Sequence, residues 1–383
     1  MKKILFITTR NPFSGRYSGD VIRAKKFVKH LSKKYQMSVV SLSQKNQEIS
    51  GKNFIFHGYK SDNIILRIVY IFTNLINLRP LQLGYFYSKK ISEFIKINHE
   101  EYDVLLFQSF RTAQYLPEIC KKKCILDMGD LMSKNYDQAS RRLSFFNPYR
   151  FIYFFESYLL KKYEETCFNK FDKILLLSKK EIKSINSKFQ NKLIHFFFGE
   201  DNLKNKFRFN LKNNKIIFIG NIKYVPNRNA CYDFVKKIFP LILKIYPNTE
   251  FHIIGEISKI DKFVLNKYKN VKILGKVNNM SPYLNRVICA LANLKISTGV
   301  QTKLLTYMSF GIPFICSKQV AENFDHMKIT KDHYYTNNKE IIKMIIKFKK
   351  NKNFSSSFSK KSINQIKKFK WNKVLSFLNK LIR

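Results

Sequence analysis

The sequence predicts an α/β protein built from two doubly wound units, and three observations carry that reading. Its 383 residues exceed what one hydrophobic core commonly holds, so two domains are expected. Short apolar runs of strand length, such as residues 4–8 and 104–107, alternate along the chain with segments of helical period. Strands covered on both faces by crossover helices read as such runs. Residues 202–214 are polar, basic and without apolar period, and a second β/α series starts at Lys215. The expected organisation is residues 1–201, a linker at 202–214, residues 215–365, and a final helix at 366–383.

Composition narrows the function classes. A hydrophobic content of 45% fits a globular chain, and 71 Lys+Arg against 26 Asp+Glu give a net charge of +45. The charge is spread along the chain and matches a general Lys, Asn, Ile and Phe richness. No nucleic-acid motif accompanies it, so nucleic acid is not expected as a partner, while an anionic membrane surface stays open. Cys120, Cys124, Cys167, Cys231, Cys289 and Cys316 are scattered and read as reduced, buried thiols, not as a disulfide framework or a zinc site. The opening MKKILFITTR runs straight into a strand and lacks the marks of a signal peptide. The most apolar window, residues 64–78, holds Arg67 and Asn74 and falls short of the ~20 residues of a membrane span.

In order, residues 4–8 are a strand, NPFSGRYSGD is a loop, and residues 20–34 are a helix. Gly19, Asp20 and Arg23 sit at its start, where amides favour an anion; Asp20 as a simple N-cap explains the same residues. Strands are expected at 37–42 and 53–57, then two helices within 64–98 joined near Arg79-Pro80. Their aromatic residues beside lysines suit an interfacial helix or ordinary amphipathic packing. Gln108 and Ser109 follow strand 104–107 at its carboxyl end, where open α/β sheets bind ligands. Strand 125–128 ends in DMGDLMSKNY, which supplies Asp127 and Asp130. Residues 147–169 form a helix whose Phe and Tyr stripe reads as core, and Ser178 with Glu181 looks like a capping box. In the second series, strand 215–219 leads through GNIKYVPNRNA into a helix at 230–246, followed by strands at 251–254, 271–274 and 287–291.

The densest chemistry lies in ANLKISTGVQTKLLTYMSFGIPFICS, residues 292–317. Small residues at Ser297-Thr298-Gly299 allow close backbone approach, and a helix from Val300 carries Leu304, Leu305, Met308 and Phe310 at helical spacing. Gly311 and Pro313 stop it before a strand. A helix start behind a Gly-containing loop is an anion site, to which Lys295 and Lys303 are expected to add full charges.

This stretch resembles the donor-binding segment of group 1 glycosyltransferases of the GT-B fold, approximately PLRxGxGxQNKxLEAMAxGxPVV. Lys295, Thr298, Gly299, Gln301, Lys303, Met308, Gly311 and Pro313 fall on the pattern, with Val300 among them. Thr298 and Thr306 stand where the wider family places two glutamates, for the donor sugar and the ribose. GNIKYVPNRNA is similar to the subfamily's G-x-x-x-Y-x-P-N-x-x-A, which implies that Gly220, Asn221, Tyr224 and Asn227 face the donor. Asp127, Asp130 and Lys134 match an Asp-x-x-Asp-x-x-x-Lys pattern, and Gly19, Asp20 and Arg23 match the family's opening on the acceptor or phosphate side.

The resemblance implies two Rossmann-like domains facing a cleft, with the last helix crossing back and Trp371 as its packing anchor. It implies transfer of a sugar from a nucleotide-diphosphate donor to a glycan or lipid-linked acceptor in surface polysaccharide assembly, with retention and with neither metal nor separate cofactor. Catalytic candidates are Asp127, Asp130 and Gln108. The expected location is cytoplasmic or peripheral at the inner face of the cell membrane. A catalytically decayed scaffold is the alternative, favoured by Thr306 and by the missing histidine in the Gln108 loop.

Overall fold

A computed structural model describes the chain except residues 16, 17, 202, 203, 205, 278, 298, 325, 326 and 328. The chain forms two compact units, Met1–Phe197 with Val374–Arg383, and Phe198–Lys373.

The first unit is built on an eight-stranded sheet. Its strands are β1 Lys3–Thr8, β2 Gln36–Ser43, β3 Gln47–Gly51, β4 Phe54–Lys60, β5 Val104–Gln108, β6 Lys123–Gly129, β7 Lys173–Leu176 and β8 Leu193–His195, in the order β3-β4-β2-β1-β5-β6-β7-β8. All neighbours pair in parallel except β3 with β4. The chain winds outward from β1 through β2 and β4, then returns to β1's other side as β5. That reversal opens the sheet at the carboxyl ends of β1 and β5, where Thr8 and Gln108 lie in register.

The second unit repeats the logic with β9 Lys215–Ile219, β10 Glu250–Ile254, β11 Val271–Gly275, β12 Val287–Ala292, β13 Phe314–Ser317 and β14 Tyr334–Tyr335, all parallel in the order β11-β10-β9-β12-β13-β14. Its reversal lies between β9 and β12. Ile216, Ile217 and Phe218 of β9 and Cys289 to Ala292 of β12 are fully buried, as central strands covered on both faces must be.

Several elements depart from expectation. The polar Gln47–Gly51 makes an antiparallel hairpin with β4, turning at Asn53 with φ 62°. Segment 64–98 holds three helices, Ile64–Ile76, Leu81–Tyr85 and Lys89–Asn98: the junction expected at Pro80 is present, and the second expected helix divides again between Tyr85 and Lys89, where Ser88 is the new N-cap. Met132–Arg142 is an additional helix. The helix expected at 230–246 begins at Val225 and is interrupted by a π-turn at Phe234–Ile238: Phe239 N–H bonds Phe234 O, and Pro240, lacking an N–H, removes the next α-helical bond. The last helical segment divides into Lys352–Ile366 and Trp371–Ile382.

Trp371 is buried with its ring 4.9 Å from that of Phe198, and a Cβ on Gly199 would lie 2.5 Å from it. From Val374 the same helix belongs to the first unit, where Lys2 Nζ donates to Ile382 O and Arg383 O. The aromatic stripe of the Pro148–Lys170 helix is core only in its second half. Leu159, Leu160 and Phe168 are buried, whereas Phe151 and Phe154 are exposed.

Candidate functional site

In the second unit, chemistry gathers where β9 and β12 end. Gly220 follows β9; a Cβ there would lie 3.0 Å from Asn227 Nδ2 and 3.3 Å from Lys303 Nζ. Gly255, at φ +142°, packs on it so closely that a Cβ would meet Gly220 O at 1.9 Å. Gly255 therefore excludes a side chain, and one at Gly220 would crowd Asn227 and Lys303. Asn227, in the first turn of the Val225–Asp233 helix, donates from Nδ2 to Asn221 O at 2.8 Å and accepts Lys303 Nζ on Oδ1 at 2.6 Å. Lys303 belongs to the first turn of the Thr302–Ser309 helix, is 7% exposed, and holds its nitrogen 4.2 Å from the Phe218 ring centre.

Burial pushes the Lys303 pKa down to about 7, with the Cys231 thiol opposing. The full charge expected there is corrected to an amine that titrates at neutrality. Lys295 is exposed and pairs with Asp233 at 2.5 Å. The loop between β12 and the helix is pinned by Asn293 Nδ2 on Ala230 O and Asn323 Nδ2 on Ser297 O. Gly299 adopts φ +69°, Val300 follows, and Gln301 is the N-cap without a side-chain cap bond. The helix thus starts two residues later than expected, with amides that its cap side chain does not satisfy. Thr298 lies outside the described residues. Thr306 donates its hydroxyl to Thr302 O one turn back, and Tyr224 is exposed beside the turn that Asn221 begins.

Sequence reasoning missed Tyr307, the residue that fixes this geometry. Its fully buried hydroxyl donates to Leu291 O at 2.9 Å and accepts Ile219 N–H at 3.0 Å, joining the ends of β12 and β9. As one aromatic among apolar helix neighbours it carries no local signal. Tyr307→Phe is expected to orphan both backbone groups and cost about 1–3 kcal/mol, read as a lowered urea midpoint.

In the first unit, the predicted acceptor-side residues meet at the ends of β1, β5 and β6. Arg23 donates from Nε and from one terminal nitrogen to the two Asp127 oxygens, each at 2.7 Å, and further to Phe196 O and Phe197 O. The two side chains are 4% and 1% exposed. This corrects the reading of Asp127 as an accessible base and of Arg23 as an open anion contact: each side chain is consumed by the other. Gln108 is likewise buried and engaged, accepting Thr8 Oγ1 at 2.7 Å and donating to Asp20 O at 3.0 Å. Ser18, not Asp20, is the N-cap of the Gly19–Leu31 helix, and Asp20 pairs with Arg10 at 3.1 Å.

Asp130 is the carboxyl left over. Its Oδ1 is out of solvent and without a hydrogen-bond partner, and burial, with Asp127 adding and Arg23 opposing, pushes its pKa up to about 6. Burial and then Asp130 raise Glu181 well above the carboxylate range; Glu181 accepts Leu131 N–H, while Ser178 Oγ caps the Glu181 amide. Burial lifts Glu164 to about 7, and its oxygens accept Ser133 N–H at 3.0 Å and Ser133 Oγ at 2.5 Å. Lys134 donates to Ser184 Oγ. Glu164 stands beside the exposed Glu165, and only the helical turn decides which of the two is buried.

Residues 213–347 match the family model described as glycosyl transferases group 1. That segment is a group 1 glycosyl transferase domain. It contains all the donor-side residues described above. The whole chain superposes on sucrose-phosphate synthase from Thermosynechococcus elongatus with a TM-score of 0.73 and 11% identity, covering 100% of this chain and 98% of that one. It superposes on Anabaena HepE, a structure in complex with UDP and glucose, with a TM-score of 0.68 and 11% identity, covering 99% of each. These likenesses make the fold GT-B. A protein from Klebsiella pneumoniae, described as an uncharacterized 44.6 kDa protein in the cps region, is 23% identical over 267 residues, which span 67% of this chain and 65% of that protein. In the glycosyl transferase domain, Lys303, Asn227 and Gly220 are thus brought together from segments far apart in sequence, while Lys295 is engaged by Asp233.

Proposed function

We propose that the chain transfers a sugar from a nucleotide-diphosphate donor to a glycan or lipid-linked acceptor during assembly of a surface polysaccharide, with retention and at the inner face of the cell membrane. The observation that carries this is the convergence of Lys303, Asn227 and the Gly220 turn beside a helix start whose cap leaves amides unsatisfied. A leaving diphosphate needs fixed positive potential where its charge develops, and amides with a cation supply it without reorganisation. Diphosphate arriving at Lys303 draws a proton onto the amine and releases its bond to Asn227. No covalent nucleophile is required.

On the acceptor side, Asp130 takes the role of proton acceptor, because Asp127 is neutralised by Arg23 and the Gln108 amide, buried and bonded to Thr8 and Asp20, is not basic. The HepE structure with UDP and glucose supports a donor of that class, and the cps-region relative supports the polysaccharide context.

A non-catalytic reading rests on one observation. The Thr306 hydroxyl is spent on its own helix backbone, where relatives are expected to offer a carboxylate to the ribose. Thermal-shift screening of UDP-, GDP-, dTDP- and CMP-sugars tests the proposal. The matching donor should stabilise the chain by about 2.7 kcal/mol at a hundredfold excess over Kd. If every nucleotide sugar leaves the transition unmoved, the non-catalytic reading replaces the transferase.

A further inference from the structure

We propose that the first unit docks on an anionic lipid surface through one face, built from the Ile64–Ile76 helix and the aromatic segment at residues 145–158. More than half of the exposed large apolar side chains among the described residues fall between Ile64 and Leu78 or between Phe145 and Tyr158. Ile65 is 69% exposed, Phe72 59%, Ile76 81%, Phe146 91% and Phe154 63%. Soluble monomers rarely show a contiguous apolar patch beyond a few hundred Å² unless it is an interaction site.

Both segments are tied to the Leu81–Tyr85 helix. The Leu81–Tyr85 helix lies so close to the Ile64–Ile76 helix that a Cβ on Gly84 would meet Tyr70 O at 2.5 Å. Glu156, buried in the Pro148–Lys170 helix, accepts Leu81 N–H at 2.8 Å and Gln82 N–H at 3.3 Å. The junction between the two apolar stretches is therefore hydrogen-bonded, while their outer surfaces are left in water.

Charge selects the occupant. Between Asp62 and Glu93 the chain contains no carboxylate but has Arg67, Arg79, Lys89 and Lys90; between Asp137 and Glu156 it contains none but has Arg141, Arg142 and Arg150. Of these, Lys89 and Arg141 pair with the flanking Glu93 and Asp137, and the remaining five leave the face basic. Arg67 and Arg150 lie against Tyr85 and Phe145, with their guanidinium carbons 3.6 and 5.4 Å from the ring centres. A second copy would set this basic face against itself, in a chain of net charge +45, whereas anionic headgroups complement it. No helix among the described residues is long and apolar enough to cross a membrane. The Ile64–Ile76 helix, only 13 residues long, lies in the interface plane with its aliphatic side chains in the acyl boundary and its one arginine, Arg67, at headgroup level. This deepens the membrane-side part of the proposed function, but its test reads binding alone, so loss of transferase activity and loss of docking are separate results.

The test is flotation with phosphatidylcholine vesicles, with and without a third of phosphatidylglycerol, for the full chain and for Ile65→Gln/Phe72→Gln/Phe146→Gln/Phe154→Gln. The wild type should float with the anionic vesicles. High salt should weaken it without abolishing binding, since screening acts on the charges and not on the apolar contact. The quadruple variant should bind at least about tenfold more weakly. Phe146→Trp, in an otherwise unchanged chain, should shift its emission to the blue on anionic vesicles, against the constant background of buried Trp371. A wild type that does not float, a quadruple variant that floats equally, or an unmoved Phe146→Trp emission overturns the proposal. Self-association of the wild type in sedimentation, absent in the quadruple variant, reassigns the face to a second copy and overturns it as well.

Discussion

Arg23→Ala is expected to destabilise the first unit by about 3–5 kcal/mol, because it leaves the Asp127 carboxylate buried without its counter-charge. The same substitution orphans Phe196 O and Phe197 O, which Arg23 now satisfies. Asp127→Ala should cost a similar amount, leaving a guanidinium stranded against the Phe27 and Phe196 rings. Replacing both partners, as Arg23→Leu/Asp127→Leu, should recover most of the loss, since a buried pair roughly balances its attraction against the cost of desolvation. Urea unfolding followed by circular dichroism reads all three. Single variants within about 1 kcal/mol of the wild type would return Asp127 to the list of available carboxylates and remove the argument for Asp130.

Lys303→Met should lower donor affinity by about ten- to a hundredfold, the loss of a charge-assisted contact worth roughly 1.5–3 kcal/mol. Its pH signature separates a functional lysine from a packing one. In the free protein the amine titrates at about 7, and bound diphosphate raises that value. Binding above pH 7 therefore takes up a proton, so wild-type affinity should fall as pH rises through and beyond 7, by up to about tenfold per unit. The variant should show a flat profile.

Stability should move the other way. The folded pKa lies below the ordinary 10.5, so the fold bears a penalty that is complete below pH 7 and fades as pH rises toward that value. Lys303→Met should therefore raise the melting temperature at neutral pH while weakening donor binding. Calorimetric titration and thermal unfolding at several pH values measure both. Unchanged affinity together with an unchanged profile would detach Lys303 from the donor.

Much of the scaffold is legible because its causes are local. The strand expected at 287–291 appears as Val287–Ala292 and that at 215–219 as Lys215–Ile219, since a strand buried on both faces must be apolar throughout. The stop at Gly311 holds, with its φ at +69°. Misplaced boundaries have local causes too: Pro240 forces a π-turn in one expected helix, while the helix expected after Pro80 divides between Tyr85 and Lys89, where Ser88 becomes a new N-cap. The hairpin strand Gln47–Gly51 escaped because its polar composition lacks strand periodicity and its pairing with β4 supplies the order.

By itself the sequence determined two parallel β/α series, the glycine turns beside their carboxyl ends and the identity of most residues gathered there. Tertiary structure alone decided what those residues have left to offer. Lys303 and Asn227 are 76 positions apart, and Arg23 and Asp127 104 apart, so neither bond is visible to any local pattern. Burial, which turns Lys303 into a neutral-range amine and strands Asp130 without a partner, depends on what the fold stacks over each side chain. Periodicity likewise marks an apolar stripe but not whether anything covers it. The same helical pattern that buries Leu159 and Leu160 leaves Phe151 and Phe154 in water, because full cover reaches the first pair and not the second.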